Sequence, residues 1–284
     1  MATARSRRAG VGAVIVIAVI ITALAISKAK HAGFPTPGSS SCLVYGGRFD
    51  VPLDAGQAGI AATIAGVAAH HSLPVRAITI AYAAALQESD LQNLPYGDRD
   101  SVGVFQQRPS AGWGSRHKLL DPIYATTRFF AALAAVPRYL RLPVYQAAQA
   151  VQHSADGRAY SQYAPQGAAM ASGFSGRQPH AVWCWYSGPI RGRSRLSAAE
   201  TELRRTFGRL AIRHVGDPLA EVGVRTPAAG WAVAAWLVSH ASTFRLQRVT
   251  CQGYQWTAAH GRKGWTAMPR SAHQSAARLG VAFG

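Results

Sequence analysis

The chain has 284 residues, 49% of them hydrophobic, which is enough for one large or two small folded domains and excludes a wholly disordered protein. Its net charge of +18 is unevenly placed: residues 1–41 carry 5 Lys and Arg and no acid, residues 42–184 carry 11 against 8 Asp and Glu, and residues 185–284 carry 14 against 4. Such a surface favours polyanions, either anionic lipid headgroups or acidic wall polymers, and no nucleic-acid-binding motif accompanies it, so no nucleic acid is expected as a partner.

Taken in chain order, Arg5, Arg7 and Arg8 precede an apolar run from Gly10 to Ile26, which Lys28 and Lys30 close. At about 1.5 Å per residue the run spans roughly 26 Å, enough for a slightly thinned bilayer. Positive charge ahead of it predicts the N-terminus inside and the remainder outside. Residues 1–30 therefore read as a basic flank and an uncleaved signal-anchor helix, giving a single-pass membrane protein with an outer ectodomain. The alternative is secretion after signal-peptide cleavage, since Ala23-Leu-Ala25 offers a small-residue cleavage site.

Residues 31–41, rich in Pro, Gly and Ser, read as a linker. Leu43–Val51 predicts a strand or hairpin, and Asp54 caps a helix to about His71 with Ile60, Ile64 and Val67 on one face. Pro74 starts a second helix that ends near Ser89. Residues 91–101 are a turn-rich loop, and Val102–Gln107 is a short β-like run. Asp121-Pro122 opens a helix that Pro137 stops, and further helices are expected over about Val144–Ser154 and Ala159–Ser172. Residues 185–196, with Arg191, Arg193 and Arg195, read as a basic linker. Ser197 and Glu200 form a capping-box pattern for a helix to about Phe207. Gly230–Ala241 predicts an apolar helix, and Leu246–Cys251, Tyr254–Thr257 and Leu279–Phe283 predict strands.

Export permits disulfides, and three cysteines leave one over. Cys42 and Cys184 bracket the segment 42–184 and are the favoured pair, with Cys184–Cys251 as the rival. The absence of Cys-x-x-Cys and His-Glu-x-x-His patterns gives no support to a metal site, and no cofactor is expected. His70-His71 is expected at a helix end in solvent. No nucleophile-elbow motif supports Ser-His-Asp catalysis. Cys184 near His180 could suggest a thiol peptidase, but the flanking Trp183 and Trp185 and an oxidising compartment favour a structural sulfur.

One acid stands out. Ile78, Ala81, Ala85 and Glu88 share a helix face, and the helix from Ala77 to Leu86 offers almost nothing polar besides Thr79 and the Tyr82 hydroxyl. A carboxyl group at the negative end of such a helix is expected to hold its proton, the state required of a general acid. The bland alternative is an exposed Glu at a frayed helix end.

Gln87-Glu88-Ser89, followed by Tyr96-Gly97-Asp98-Arg99-Asp100-Ser101-x-Gly103-x-Phe105-Gln106-Gln107, resembles the lysozyme-like superfamily, in particular soluble lytic transglycosylase and goose-type lysozyme domains. Ala147–Ser154 with Tyr160 is similar to their third motif, in which a helix and a tyrosine close the site. The extended run through Gln106-Gln107-Arg108-Pro109-Ser110 and Gly112-Trp113-Gly114 is also similar to secreted or membrane-anchored actinobacterial proteins. The resemblance covers about residues 42–175. It implies Glu88 as catalytic acid and base. It further implies Ser89, Tyr96, Asp98, Asp100, Ser101, Gln106, Gln107, Trp113 and Tyr160 as residues that bind or orient sugar. Phe105 stands where the family often has Met, and the doubled glutamine leaves open which one faces substrate. The Asp98-Arg99-Asp100 run reads either as a second carboxylate for hydrolysis or as a hydrogen-bonded turn that fixes the loop.

The expected class is α+β: a mainly helical lysozyme-like domain at 42–184 with a small β excursion, an N-terminal membrane helix, and a small α+β domain at 197–284. The expected function is cleavage of the β-1,4 bond between N-acetylmuramic acid and N-acetylglucosamine in peptidoglycan glycan strands, by lytic transglycosylation or hydrolysis. The alternative is a non-catalytic module that binds peptidoglycan or a wall partner on the same fold.

Overall fold

The computed structural model describes residues 39–153, 157–216, 218–269 and 280–284. The apolar run at 10–26, read as a membrane anchor or signal peptide, lies outside the described residues. Among the described residues no helix is long and apolar enough to cross a membrane.

The fold is mixed α+β. Strands β1 (Ser41–Tyr45) and β2 (Asp50–Asp54) form an antiparallel hairpin, with Cys42, Val44, Val51 and Leu53 facing inward at the period of two that a half-buried sheet requires. Strand β3 (Val182–Trp185) pairs with the other edge of β1, so the order is β2-β1-β3. Cys42 and Cys184 lie directly opposite each other in that pairing and are joined as a disulfide, while Cys251 is free and buried. Across a sequence separation of 142 residues, such a link stabilises by about 5 kcal/mol in the chain-entropy account. Burial pushes the Cys251 thiol up to about 12, leaving it inert.

Asp54 accepts from the Gln57 backbone N–H and Gln57 Oε1 accepts from the Asp54 N–H, a reciprocal box that starts α1 (Ala55–His70). This helix is apolar on nearly every face, as an interior helix must be. It packs against α2 (Val75–Ser89), α4 (Pro122–Ala135), α7 (Leu196–Phe207) and α8 (Pro227–Ser239). Between these lie the short α3 (Arg116–Leu119), α5 (Val144–Gln152) and α6 (Ala164–Phe174).

The C-terminal part builds a six-stranded antiparallel sheet from β4 (Ala211–Gly216), β5 (Leu219–Gly223), β6 (Arg248–Cys251), β7 (Tyr254–Thr257), β8 (Thr266–Ala267) and β9 (Gly280–Phe283). Its order is β4-β5-β9-β6-β7-β8, so the last strand inserts between two earlier ones. Helix α8 covers this sheet and packs on α1 as well, and α9 (Ala241–Phe244) follows it directly. Two indole N–H groups, on Trp256 and Trp265, donate to the backbone oxygens of Cys184 (2.9 Å) and Val182 (2.7 Å) and tie the sheet side to β3.

Several sequence expectations change. The Ser197–Glu200 capping box does not form: α7 begins at Leu196 after Arg195 without a side-chain cap. Glu200 instead turns inward, where His214 Nε2 (2.8 Å) and Arg204 (3.6 Å) approach its carboxylate. The region at 159–172 divides into a 3-10 turn, Gly157–Tyr163, and α6. Val102–Gln107 is a tight turn closed by one bridge, with no extended strand. No sequence expectation covers strands β3, β4, β5 and β8.

Candidate active site

Helix α2 is what delivers Glu88. From Ala77 to Leu86 every residue is buried, and the helix packs against α6, α5 and the 157–163 turn. Tyr82 donates to the Ala61 carbonyl (2.7 Å), pinning α2 to α1. The helix stops abruptly because Asp90 and Leu91 both adopt left-handed backbone, with φ of 54° and 58°. That conformation costs roughly 1–2 kcal/mol for a side chain larger than glycine. It is offset by burial of Leu91 and by Gln57, which donates to the Asp90 carbonyl (3.0 Å). Glu88 thus occupies the last helical turn, half-buried.

The carboxylate is gripped from the far end of the sequence motif. The Tyr160 hydroxyl donates to Glu88 Oε1 at 2.6 Å, and the Tyr160 side chain is fully buried. Beside it, Gln162 Nε2 donates to Gln87 Oε1 (3.4 Å). Ser89 Oγ donates to the Val104 carbonyl (2.7 Å), and Gln152 Nε2 donates to the Phe105 carbonyl (2.8 Å). The helix end, α5, the 157–163 turn and the 102–107 turn therefore converge on one corner with Glu88 at its seam.

The loop from 91 to 116 frames that corner and is internally bonded. Bridges pair Leu94 with Gly103 and Val102 with Gln107. Gly103 has φ 79°, and a Cβ there would sit 2.4 Å from the Leu119 carbonyl oxygen, so the turn accepts only glycine. Gln106, also left-handed at φ 46°, donates to the carbonyls of Tyr96 (3.2 Å) and Gly103 (3.1 Å). Asp100 accepts three hydrogen bonds. Its Oδ1 accepts from Arg108 Nε (2.8 Å) and Ser110 Oγ (2.9 Å), and its Oδ2 accepts from the Ser110 backbone N–H (2.7 Å). The Arg108 guanidinium, followed by the Ser110 N–H, holds the Asp100 carboxyl well below the usual carboxylate range.

These placements correct several sequence-derived sugar contacts. Ser89, Ser101 and Gln107 are buried. Ser89 is a latch to Val104, and Gln107 points at α4, donating to the Ala125 carbonyl (3.2 Å). Neither glutamine projects as a bare sugar ligand, since Gln106 folds back on its own loop. Asp100 serves as a loop staple, matching the hydrogen-bonded-turn alternative. Asp98 is exposed, with Arg99 at 3.9 Å. Tyr96 is 68% exposed on the rim. Trp113 is half-buried against the core, its carbonyl accepting from Tyr124 (3.3 Å). Of these residues, Tyr160 hydrogen-bonds directly to the Glu88 side chain. His70 and His71 are exposed and stacked, as anticipated.

Gln152, Arg108 and Ser110 lie within the motif runs, but no individual role is assigned to them from the sequence. Gln152 could have been found from α5, where Ala148 and Val151 are buried and Gln152 follows on the same face. Among the described residues no group of three or more His, Cys, Asp or Glu could hold a metal ion. No family model matches the chain, and no curated protein matches it either.

Proposed function

We propose that the chain cleaves β-1,4-linked peptidoglycan glycan strands, with Glu88 as general acid and then general base. The observation that carries the reading is the 2.6 Å hydrogen bond from the buried Tyr160 hydroxyl to Glu88 Oε1 at the end of an apolar helix. A phenol fixed in the interior orients the carboxyl group for proton transfer. In the first step Glu88 donates its proton to the glycosidic oxygen as the bond to the sugar's anomeric carbon breaks. In the second it accepts a proton from the attacking hydroxyl.

The use of Asp100 in three hydrogen bonds with Arg108 and Ser110 favours a single-carboxylate route, in which the muramic acid 6-hydroxyl attacks and a 1,6-anhydro end forms. A hydrolytic route would require a nucleophile or a water-activating base across the sugar. Tyr96 on the rim offers a ring face to a sugar.

The test is digestion of purified peptidoglycan by the purified protein, with product masses. Anhydro ends support the lytic route and reducing ends the hydrolytic one. Wall digestion unchanged in Glu88→Gln rules out the catalytic reading. Binding of the wall without digestion by either protein supports the alternative binding module.

A further inference from the structure

Between α1 and the junction of α8 with α9 lies a cavity of about 270 Å³, and none of its lining residues belongs to the Glu88 corner. Gly59, Ile60, Ile123, Glu202, His240 and Thr243 make its working walls. At ~30 Å³ per water molecule the space equals roughly nine waters, the scale of one small organic molecule.

His240 gives this cavity its chemistry. Its ring stacks on the Trp236 indole with centroids 4.1 Å apart, and Nδ1 lies 2.8 Å from the Trp236 carbonyl oxygen. A carbonyl can only accept, so Nδ1 carries the proton and Nε2 presents a lone pair in the neutral ring. Burial lowers the His240 pKa to about 4, so the neutral ring is the form present near pH 7. The acid on the wall is Glu202, bonded at 2.7 Å to Arg205, which also pairs with Asp121.

Gly59 leaves the lone-pair edge uncovered. A Cβ built there would touch His240 Nε2 at 3.4 Å, before any other atom. Glycine inside a helix costs roughly 0.5–1 kcal/mol relative to alanine, and α1 is otherwise rich in alanine.

We propose that this cavity is a binding site for a small uncharged polyhydroxy molecule, of polyol or single-sugar size. One ligand hydroxyl donates to His240 Nε2, and the ligand's apolar face rests on Ile60 and Ile123. Glu202 is already paired with Arg205, so the wall presents no unpaired charged group to hold an ion of either sign. The site stands whether or not Glu88 cleaves glycans.

The experiment follows the His240 Nε2 resonance in full-length, nitrogen-15 histidine-labelled protein during titration with glucose, N-acetylglucosamine and inositol. A saturable shift with at least one probe is expected, unchanged in Glu88→Gln. Gly59→Ala covers Nε2 with one methyl group and supplies a better helix former, so it should fold at least as well and weaken the probe about tenfold or more. Ile123→Phe, filling the opposite wall, is the second plug if the first variant folds poorly. The proposal is overturned if none of the three probes produces a saturable shift, or if the shift survives in a folded plug variant.

Discussion

Glu88 and Asp100 are separated by twelve residues in one helix-end and loop segment, yet their surroundings differ in kind. Asp100 accepts three hydrogen bonds from Arg108 and Ser110, residues that follow it closely in sequence. Glu88 receives its Oε1 hydrogen bond from a tyrosine 72 residues away. The first arrangement is local and fastens a loop. The second needs the whole domain folded before it exists, and it leaves a half-buried acid at the junction of several elements. Where a carboxylate's partner lies in the chain, local or distant, is therefore the more useful guide to what it does.

The largest expected effect separates the two acids outright. Glu88→Gln should lower glycan cleavage by about 10²–10⁴, the usual contribution of general acid–base catalysis, with little change in melting temperature. Asp100→Asn should do the reverse, loosening the loop and lowering the melting temperature while most of the cleavage rate remains. Kinetic assays beside thermal unfolding read both. Equal loss of activity in two well-folded variants would place Asp100 in the catalytic machinery and end the contrast.

Tyr160→Phe comes next. Removing a hydrogen bond costs about 0.5–1.5 kcal/mol net, or roughly two- to tenfold in rate if the bond orients the acid for reaction. The loss should fall on kcat with KM little altered, because the hydroxyl is buried against the protein. A rise in KM alone would reassign Tyr160 to binding sugar.

The contrast was half legible in the sequence. An apolar run that ends in Glu88 announces a helix terminus with an unusual acid, and the Glu-Ser and Ser-x-Gly-x-Phe-Gln spacing pointed to the turn beside it. The inward direction of Gln106 and Gln107 was not legible. Adjacent glutamines look alike until the left-handed backbone at Gln106 sends one to Tyr96 and the other to Ala125. Strand β4 was invisible for another reason. It is exposed along nearly its whole length, so no alternation of apolar residues marks it. The Ser197–Glu200 pattern misled because tertiary pairing with His214 claimed the carboxylate that a cap would have used.

Acid should test the loop arm of the contrast. A carboxyl group held below its ordinary value stabilises the fold at pH above about 3.9, and that contribution is lost as pH falls through the folded value. Protection of the Ser110 amide, measured relative to its intrinsic exchange rate at each pH, should persist at about pH 3, where an ordinary Asp is mostly protonated, and fall only below that. Arg108→Ala removes the first cause of the shift, so the onset should move up toward pH 4. An onset near pH 4 in both proteins would mean that Arg108 does not hold Asp100 in solution.

The smallest expected effect concerns Gln152, which joins the two arms. Its amide donates to the Phe105 carbonyl (2.8 Å), one residue beyond the Val104 carbonyl that Ser89 holds, so the turn at 102–107 is clamped by α5 on one side and by α2 on the other. Gln152→Ala should cost about 1 kcal/mol, the net value of one neutral hydrogen bond. Because the clamp acts on the turn beside Glu88, activity should fall several-fold with an unchanged pH profile. Gln152→Glu keeps the length of the side chain but loses the donor when ionised, so it should behave like the alanine variant above the carboxylate range and recover part of its stability below it. If both variants retain full activity, the turn is positioned without α5, by Ser89 on α2 and by Gln107 on α4.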